Sequence, residues 1–153
     1  MTTLTIREAC EGDLAFIVGL IASDPVADTR DPPASDDAVQ QLAGFRAIAA
    51  DANHALYVAE CDGEPVGSFQ LSFLPVVARR GAWRAMIESV RVAPEHQGKG
   101  IGAEMMRWAI ARAEERGCAL VQLMSDGNRP DAYRFYERLG FAPTHTGFKR
   151  KLR

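Results

Sequence analysis

Three glycines in alternation, Gly98, Gly100 and Gly102, stand between a β-branched run ending at Val92 and a helical pattern that continues to about Arg116. A short polar loop, Ala93 to Gln97, separates the run from the glycines. A strand feeding a glycine-rich turn at a helix start leaves the first N–H groups of that helix without partners, and the helix dipole adds partial positive charge there. A Cβ on the turn would hold an anion away from those N–H groups. The chemistry this spacing supports is anion binding, and the anion expected is the pyrophosphate of a cofactor.

Two further residues have types suited to proton transfer. Glu88 lies inside the apolar stretch Met86-Ile87-Glu88-Ser89-Val90. A carboxylate there is costly unless it lines a cleft or has a partner, and partial burial would raise its pKa toward the range of a general base. Arg84 or Arg91 are its candidate ion-pair partners. Tyr136 carries a phenol, which with a pKa of about 10 is protonated at neutral pH and can donate. Phe135 and Leu139 already form an apolar stripe on its helix, so Tyr136 need not face the core, and Tyr133, one turn earlier, is the fallback donor. His54 and His145 have no evident triad partner, and His96 is expected in solvent. Cys10, Cys61 and Cys118 are odd in number, widely spaced and without metal-type neighbours. They read as small apolar fillers in a reducing compartment, with no metal site.

Three glycine-rich phosphate loops compete for the 97–103 stretch. No Gly-x-x-x-x-Gly-Lys-Ser/Thr string exists, which removes the P-loop. Gly98, Gly100 and Ala103 fit Gly-x-Gly-x-x-Gly/Ala, and Asp126 ends the next apolar run. Against that reading, the preceding loop is long for the tight turn, and only 27 residues follow Asp126, too few for more βα units. The third pattern, Gln/Arg-x-x-Gly-x-Gly/Ala, is met by Gln97, Gly100 and Gly102. A second signature lies one strand further on: Ala132, Tyr136, Glu137, Gly140 and Phe141, within Ala132-Tyr133-Arg134-Phe135-Tyr136-Glu137-Arg138-Leu139-Gly140-Phe141. With both motifs in order, the chain resembles the GCN5-related N-acetyltransferase (GNAT) family. The resemblance is specific over Glu88 to Phe141 and architectural before that.

The resemblance implies acetyl-CoA as co-substrate, no metal, and acetyl transfer to a primary amine by direct attack in a ternary complex. It implies that the loop Gln97, Gly98, Lys99, Gly100, Ile101, Gly102 and Ala103 holds the pyrophosphate, with the Gln97 and Lys99 side chains assisting. Val90, Arg91 and Val92 would pair with the pantetheine amides, as an added strand does. Tyr136 would protonate the leaving thiolate, and Glu88 would serve as base directly or through water. Many members carry Asn seven residues before the Tyr; here Arg129 stands there and Asn128 is one residue out of register. Asn128, Arg129 and Tyr133 complete the expected cofactor contacts, with Arg129 directed at a phosphate or at solvent. A non-catalytic acetyl-CoA sensor is the alternative, although a pure binder needs neither Tyr136 nor Glu88. Family members are often homodimers.

The elements that must position these groups follow from periodicity. Strands are expected at Leu4 to Ala9, His54 to Cys61, Pro65 to Leu74, Arg84 to Val92 and Ala119 to Ser125. Asp62-Gly63 signals a hairpin, and Arg79-Arg80-Gly81 marks the next turn. Helices are expected from Gly12-Asp13 to about Ala22, from a Ser35 or Asp36 cap to about Ala50, from the glycine loop to Arg116, and from Pro130 to Leu139. On the first of these, Leu14, Ile17, Val18 and Ile21 share a face. Two last strands, Phe141 to Thr144 and Phe148 to Leu152, would pair around Thr146-Gly147. The order β-α-α-β-β-β-α-β-α-β-β implies an α/β (α+β) fold, a mostly antiparallel mixed sheet flanked by helices.

Residues 1–153 suit a single domain, and the 47% hydrophobic and 25% charged composition is ordinary for a globular chain. A net charge of −2 supplies no drive toward nucleic acid or an anionic membrane. No signal peptide or membrane-spanning run is present, so a cytoplasmic location is expected. For the acceptor, five Asp residues within 24–37, namely Asp24, Asp28, Asp31, Asp36 and Asp37, read mainly as a solvated loop that would attract a cation. Arg79, Arg80 and Arg84 point toward a carboxylate-bearing acceptor instead.

Overall fold

The computed structural model describes residues 3–25, 37–127 and 129–152. Five strands form one sheet in sequence order: β1 (Leu4–Glu8), β2 (His54–Cys61), β3 (Glu64–Pro75), β4 (Trp83–Val92) and β5 (Leu120–Leu123). The first four are antiparallel, and β5 joins β4 in parallel. The β2–β3 turn is the expected Asp62-Gly63 pair, with φ of 51° and 84°. Positive φ at both residues matches the right-handed twist of the strands it joins.

Alternation along β3 decides which helix covers which face. Phe69 and Leu71 join the apolar cluster beneath α3 (Ile101–Glu115), which buries Ile101, Met105, Met106, Ala109 and Ala113. Full burial of side chains such as Phe69, Leu71 and Met105 is worth roughly 1.5–3 kcal/mol each. Gly67 permits the close approach of helix and sheet: a Cβ there would lie 2.8 Å from the Met105 sulfur and 2.9 Å from the Arg91 carbonyl oxygen. The residues between, Ser68, Gln70 and Ser72, turn to the opposite face, toward α1 (Leu14–Ala22) and α2 (Asp37–Ala49). Ser72 is satisfied there by His54, whose Nδ1 is 2.7 Å from its hydroxyl. Helix α1 buries Ile17 and Leu20; the rest of its expected apolar face borders a cavity rather than packing solidly.

The start of α1 is tied to the sheet by charge. The Arg7 guanidinium donates to both carboxylate oxygens of Asp13, at 2.7 and 2.9 Å, and to Glu60 at 2.8 Å, while the Cys10 amide donates to Asp13 at 2.8 Å. Arg7 foremost holds the Asp13 carboxyl well below the usual carboxylate range. Asp13→Asn is expected to cost about 1–3 kcal/mol at neutral pH, the worth of a buried hydrogen bond to a charged group. Because the folded-state pKa is depressed, this stabilisation is complete above the unfolded value of about 3.9 and declines as pH falls below it. Thermal melts of wild type and variant should therefore converge in acid. An equal gap at pH 7 and pH 3 would show that the charge is not what stabilises.

The expected final pair of strands does not form: residues 141–152 contain no strand. Pro143 offers no N–H, the Thr144 amide turns back to the Ala142 carbonyl, and Phe148 and Leu152 are 93% and 90% exposed. Two apolar side chains among basic residues do not make a face that can be buried. The expected Ala119 to Ser125 strand is also shorter, ending at Leu123. Ser35 and Asp36, the expected cap of α2, lie outside the described residues, as do Asp28 and Asp31.

Candidate active site

Strand β4 outruns its neighbour. It pairs with β5 only over Arg84–Ile87, so Glu88 to Val92 have β3 on one edge and no strand on the other. At the start of this free stretch the β3–β4 register slips, and Ser89 takes a φ of 54°. A non-glycine residue in that region costs of order 1–3 kcal/mol, and a bulge re-aims the side chains that follow it. Glu88 immediately precedes the bulge and is exposed, so the partial burial expected to tune it is not present. Neither expected arginine partner reaches it: Arg91 pairs with Asp24 instead, at 3.2 Å. Beyond the end of β5, the buried Ser125 hydroxyl has no hydrogen-bond partner. The gap between the strands thus has a strand edge without a neighbouring strand on one side and an unsatisfied hydroxyl beyond the other.

The glycine loop closes one end of this gap. Pro94–His96 forms a single 3-10 turn, and Gly98 and Gly100 take φ of 75° and 81°. No side chain caps α3 at Gly100, so the N–H groups of its first turn are available to an anion. A cavity of about 380 Å³ lies over them, lined by Val92, His96, Gln97, Gly98, Gly100, Ile101, Gly102, Ala103, Phe135 and Arg138. Lys99 is exposed and lies outside this lining, and the Gln97 side-chain amide donates to the Val92 carbonyl at 3.0 Å, turned back to the strand. His96, expected in solvent, is half-buried here. Arg138 and Phe135 were not singled out as ligand contacts; they lie three apart on α4 (Pro130–Arg138), the spacing that puts two side chains on one helix face.

Helix α4 also carries Tyr136. Its ring does pack against the core, edge-on to both Phe135 and Phe141, contrary to the expectation that it need not. Burial pushes the phenol above its usual pKa, against the opposing pull of the nearby Arg129 guanidinium, and so keeps the hydroxyl a proton donor. Tyr133 is 42% exposed. The Arg129 guanidinium is engaged by an acid: its Nη2 lies 2.7 and 2.6 Å from the two carboxylate oxygens of Asp24. Asp24 is buried, not solvated, and bridges Arg129 to Arg91. The sequence carried no signal for this cluster, because 67 residues separate Asp24 from Arg91 and 105 separate it from Arg129. Asn128 lies outside the described residues.

On the other side of β4 a second cavity, of about 200 Å³, opens between α1, α2 and the polar face of the sheet. Val92 borders the glycine-loop cavity, whereas Ser89 and Arg91 border this one. The free half of β4 therefore separates the two cavities. Arg79, Arg80 and Arg84 lie at the opposite end of β4 or in the turn before it, and none of them lines either cavity. Five residues lie between Arg84 and the Val90 position on that strand, roughly 17–20 Å at about 3.3 Å each. Among the described residues no group of three or more His, Cys, Asp or Glu could hold a metal ion, and no helix is long and apolar enough to cross a membrane.

Comparison with known proteins agrees with this layout. The family model described as the acetyltransferase (GNAT) family matches residues 20–141. The aminoalkylphosphonate N-acetyltransferase of Salmonella typhimurium is 32% identical over 109 residues, 71% of this chain and 70% of its own. Streptothricin acetyltransferase of Streptomyces lavendulae is 38% identical over 95 residues, 60% of this chain and 47% of that relative, so the match spans about half the relative's length. The crystal structure of a transcriptional regulator from Bacillus halodurans C-125 superposes with a TM-score of 0.92 at 44% identity, covering 98% of this chain and 100% of that one.

Proposed function

The chain belongs to the GNAT acetyltransferase family and is an acyltransferase, and from that premise we propose that it moves an acetyl group from acetyl-CoA to a primary amine. The observation that carries this reading is the gap beside Glu88 to Val92, with the uncapped start of α3 at one end. Acetyl-CoA fits what the residues lack. The amides of its pantetheine arm meet β4 along Val90, Arg91 and Val92, where no strand flanks it, and beyond the end of β5 the Ser125 hydroxyl is unsatisfied. Its pyrophosphate meets the first N–H groups of α3, with Arg138 beside them.

When bound, acetyl-CoA supplies the acetyl group as a thioester. The work of the chain is then to bring the two substrates together and to move two protons. Holding both substrates along one strand is worth up to roughly 7–11 kcal/mol in well-aligned cases. Glu88 takes the proton of the attacking ammonium, directly or through a water, so that the nitrogen can form its bond to the carbonyl carbon. Tyr136 gives its proton to the sulfur as the carbon–sulfur bond breaks, and regains one through solvent as the newly acylated nitrogen loses its second proton to become the neutral amide. The proton taken by Glu88 passes to solvent. The products are an N-acetyl amine and free CoA. We read residues 1–153 as one domain working in the cytoplasm, in keeping with three free cysteines.

The direct test is release of free thiol from acetyl-CoA in the presence of a panel of amines, with acetyl-CoA binding measured separately by calorimetry. No binding would overturn the reading. Gly100→Asp is expected to weaken acetyl-CoA at least tenfold, about 1.4 kcal/mol. The variant places a negative charge beside the pyrophosphate and puts a side chain on a residue whose φ is 81°. Unchanged affinity in a folded variant would remove the phosphate from this loop.

A further inference from the structure

We infer that the acceptor is a small primary amine with an apolar alkyl or aryl body, seated in the cavity between α1, α2 and the sheet. This rests on the acetyl-transfer reading above. The roof of the cavity is hydrocarbon, from Leu14, Ile17 and Val18 on α1 and Phe45 and Ile48 on α2. Its floor is the polar face of the sheet, Ser68, Gln70 and Ser89, which offers hydrogen bonds at the end next to the free stretch of β4. A ligand matched to both carries its amine toward Ser89 and its apolar body under the helices.

Size and charge narrow the class. At about 200 Å³ the chamber takes one ring with a short chain; an apolar cavity of roughly 150 Å³ is already enough for benzene. Among the described residues Arg91 is the one charged residue in its lining, and none of their carboxylates lines it. An acceptor with several ammonium groups would bring those beyond the reacting one under the hydrocarbon roof, at a large desolvation cost. Asp24 is engaged by two guanidinium groups. The acidic 24–37 stretch therefore does not make this a polycation site through its described residues.

The test compares phenethylamine, an aminoalkylphosphonate and the aminoglycoside kanamycin as acceptors, read as kcat/KM from thiol release. Phenethylamine should exceed both others at least about tenfold, the scale on which a hydrophobic pocket discriminates. A preference for the phosphonate or the aminoglycoside would overturn the acceptor class and leave acetyl transfer standing. Turnover with no amine, despite acetyl-CoA binding, would overturn both. A second variant reads binding alone. Gly44 lines the cavity from α2, and a Cβ there meets nothing within 4 Å. Leu also has the higher helix propensity, so Gly44→Leu should fold while filling the chamber. Calorimetry of phenethylamine on the CoA-saturated protein should show at least about tenfold weaker binding, with CoA affinity unchanged. Equal phenethylamine affinity in wild type and variant would place the acceptor elsewhere.

Discussion

Glu88→Gln lowers kcat by roughly 10²–10⁴-fold, the usual worth of a general base. An alkyl ammonium titrates near 10.4, as lysine does, so at neutral pH nearly all of the acceptor arrives protonated and unreactive. The substitution keeps the size and polarity of the side chain and removes only its capacity to take a proton. Acetyl-CoA affinity should stay close to wild type, because Glu88 lies outside the glycine-loop cavity. Raising the pH should recover part of the lost rate as free amine accumulates. Steady-state kinetics across pH with the best acceptor decides this. A variant with wild-type kcat would transfer the role to another group.

Tyr136→Phe lowers kcat and kcat/KM together, by about 10²-fold, the low end of the range for an acid–base group. The effect is expected below that of Glu88 because a thiolate, with a conjugate pKa of about 8.5, leaves more readily unprotonated than an ammonium reacts. Phe preserves the edge-on contacts with Phe135 and Phe141, so packing and acetyl-CoA affinity should change little. The hydroxyl acts on charge that develops as the bond breaks, which is why KM is spared. Burial raises the phenol, so it stays protonated throughout the neutral range and imposes no alkaline limit there. Full activity in the variant would return attention to Tyr133 or to solvent. Wild-type turnover itself separates this chain from a non-catalytic sensor, which would have no kcat to lose.

Local signals carried much of the architecture. The Asp62-Gly63 turn, the β2 and β4 strands and the start of α3 are written in residues that are neighbours in the chain, and they stand where periodicity and turn chemistry put them. Both motifs survive as geometry: the glycine loop bounds a cavity, and α4 brings Phe135 and Arg138 to it. The final strands were misread because alternation between Phe148 and Leu152 is a local pattern without a partner. A strand needs a neighbour to receive its hydrogen bonds and a face to bury, and neither property is local.

What the sequence determined by itself is the family's fold and the glycine turn before α3, since a tight glycine turn before a helix is set by steric rules over a few residues. What only the tertiary structure decided is the remainder of the site. Asp24 meets Arg91 and Arg129 because α1, β4 and the start of α4 converge in space, across 67 and 105 residues of chain. The free edge of β4 exists because β5 stops at Leu123, and the second cavity exists because α1 and α2 stand over Ser68 and Gln70 without filling the space. Ion pairs, edges and voids depend on the positions of several elements at once, and such joint positions have no signature in any one stretch of residues.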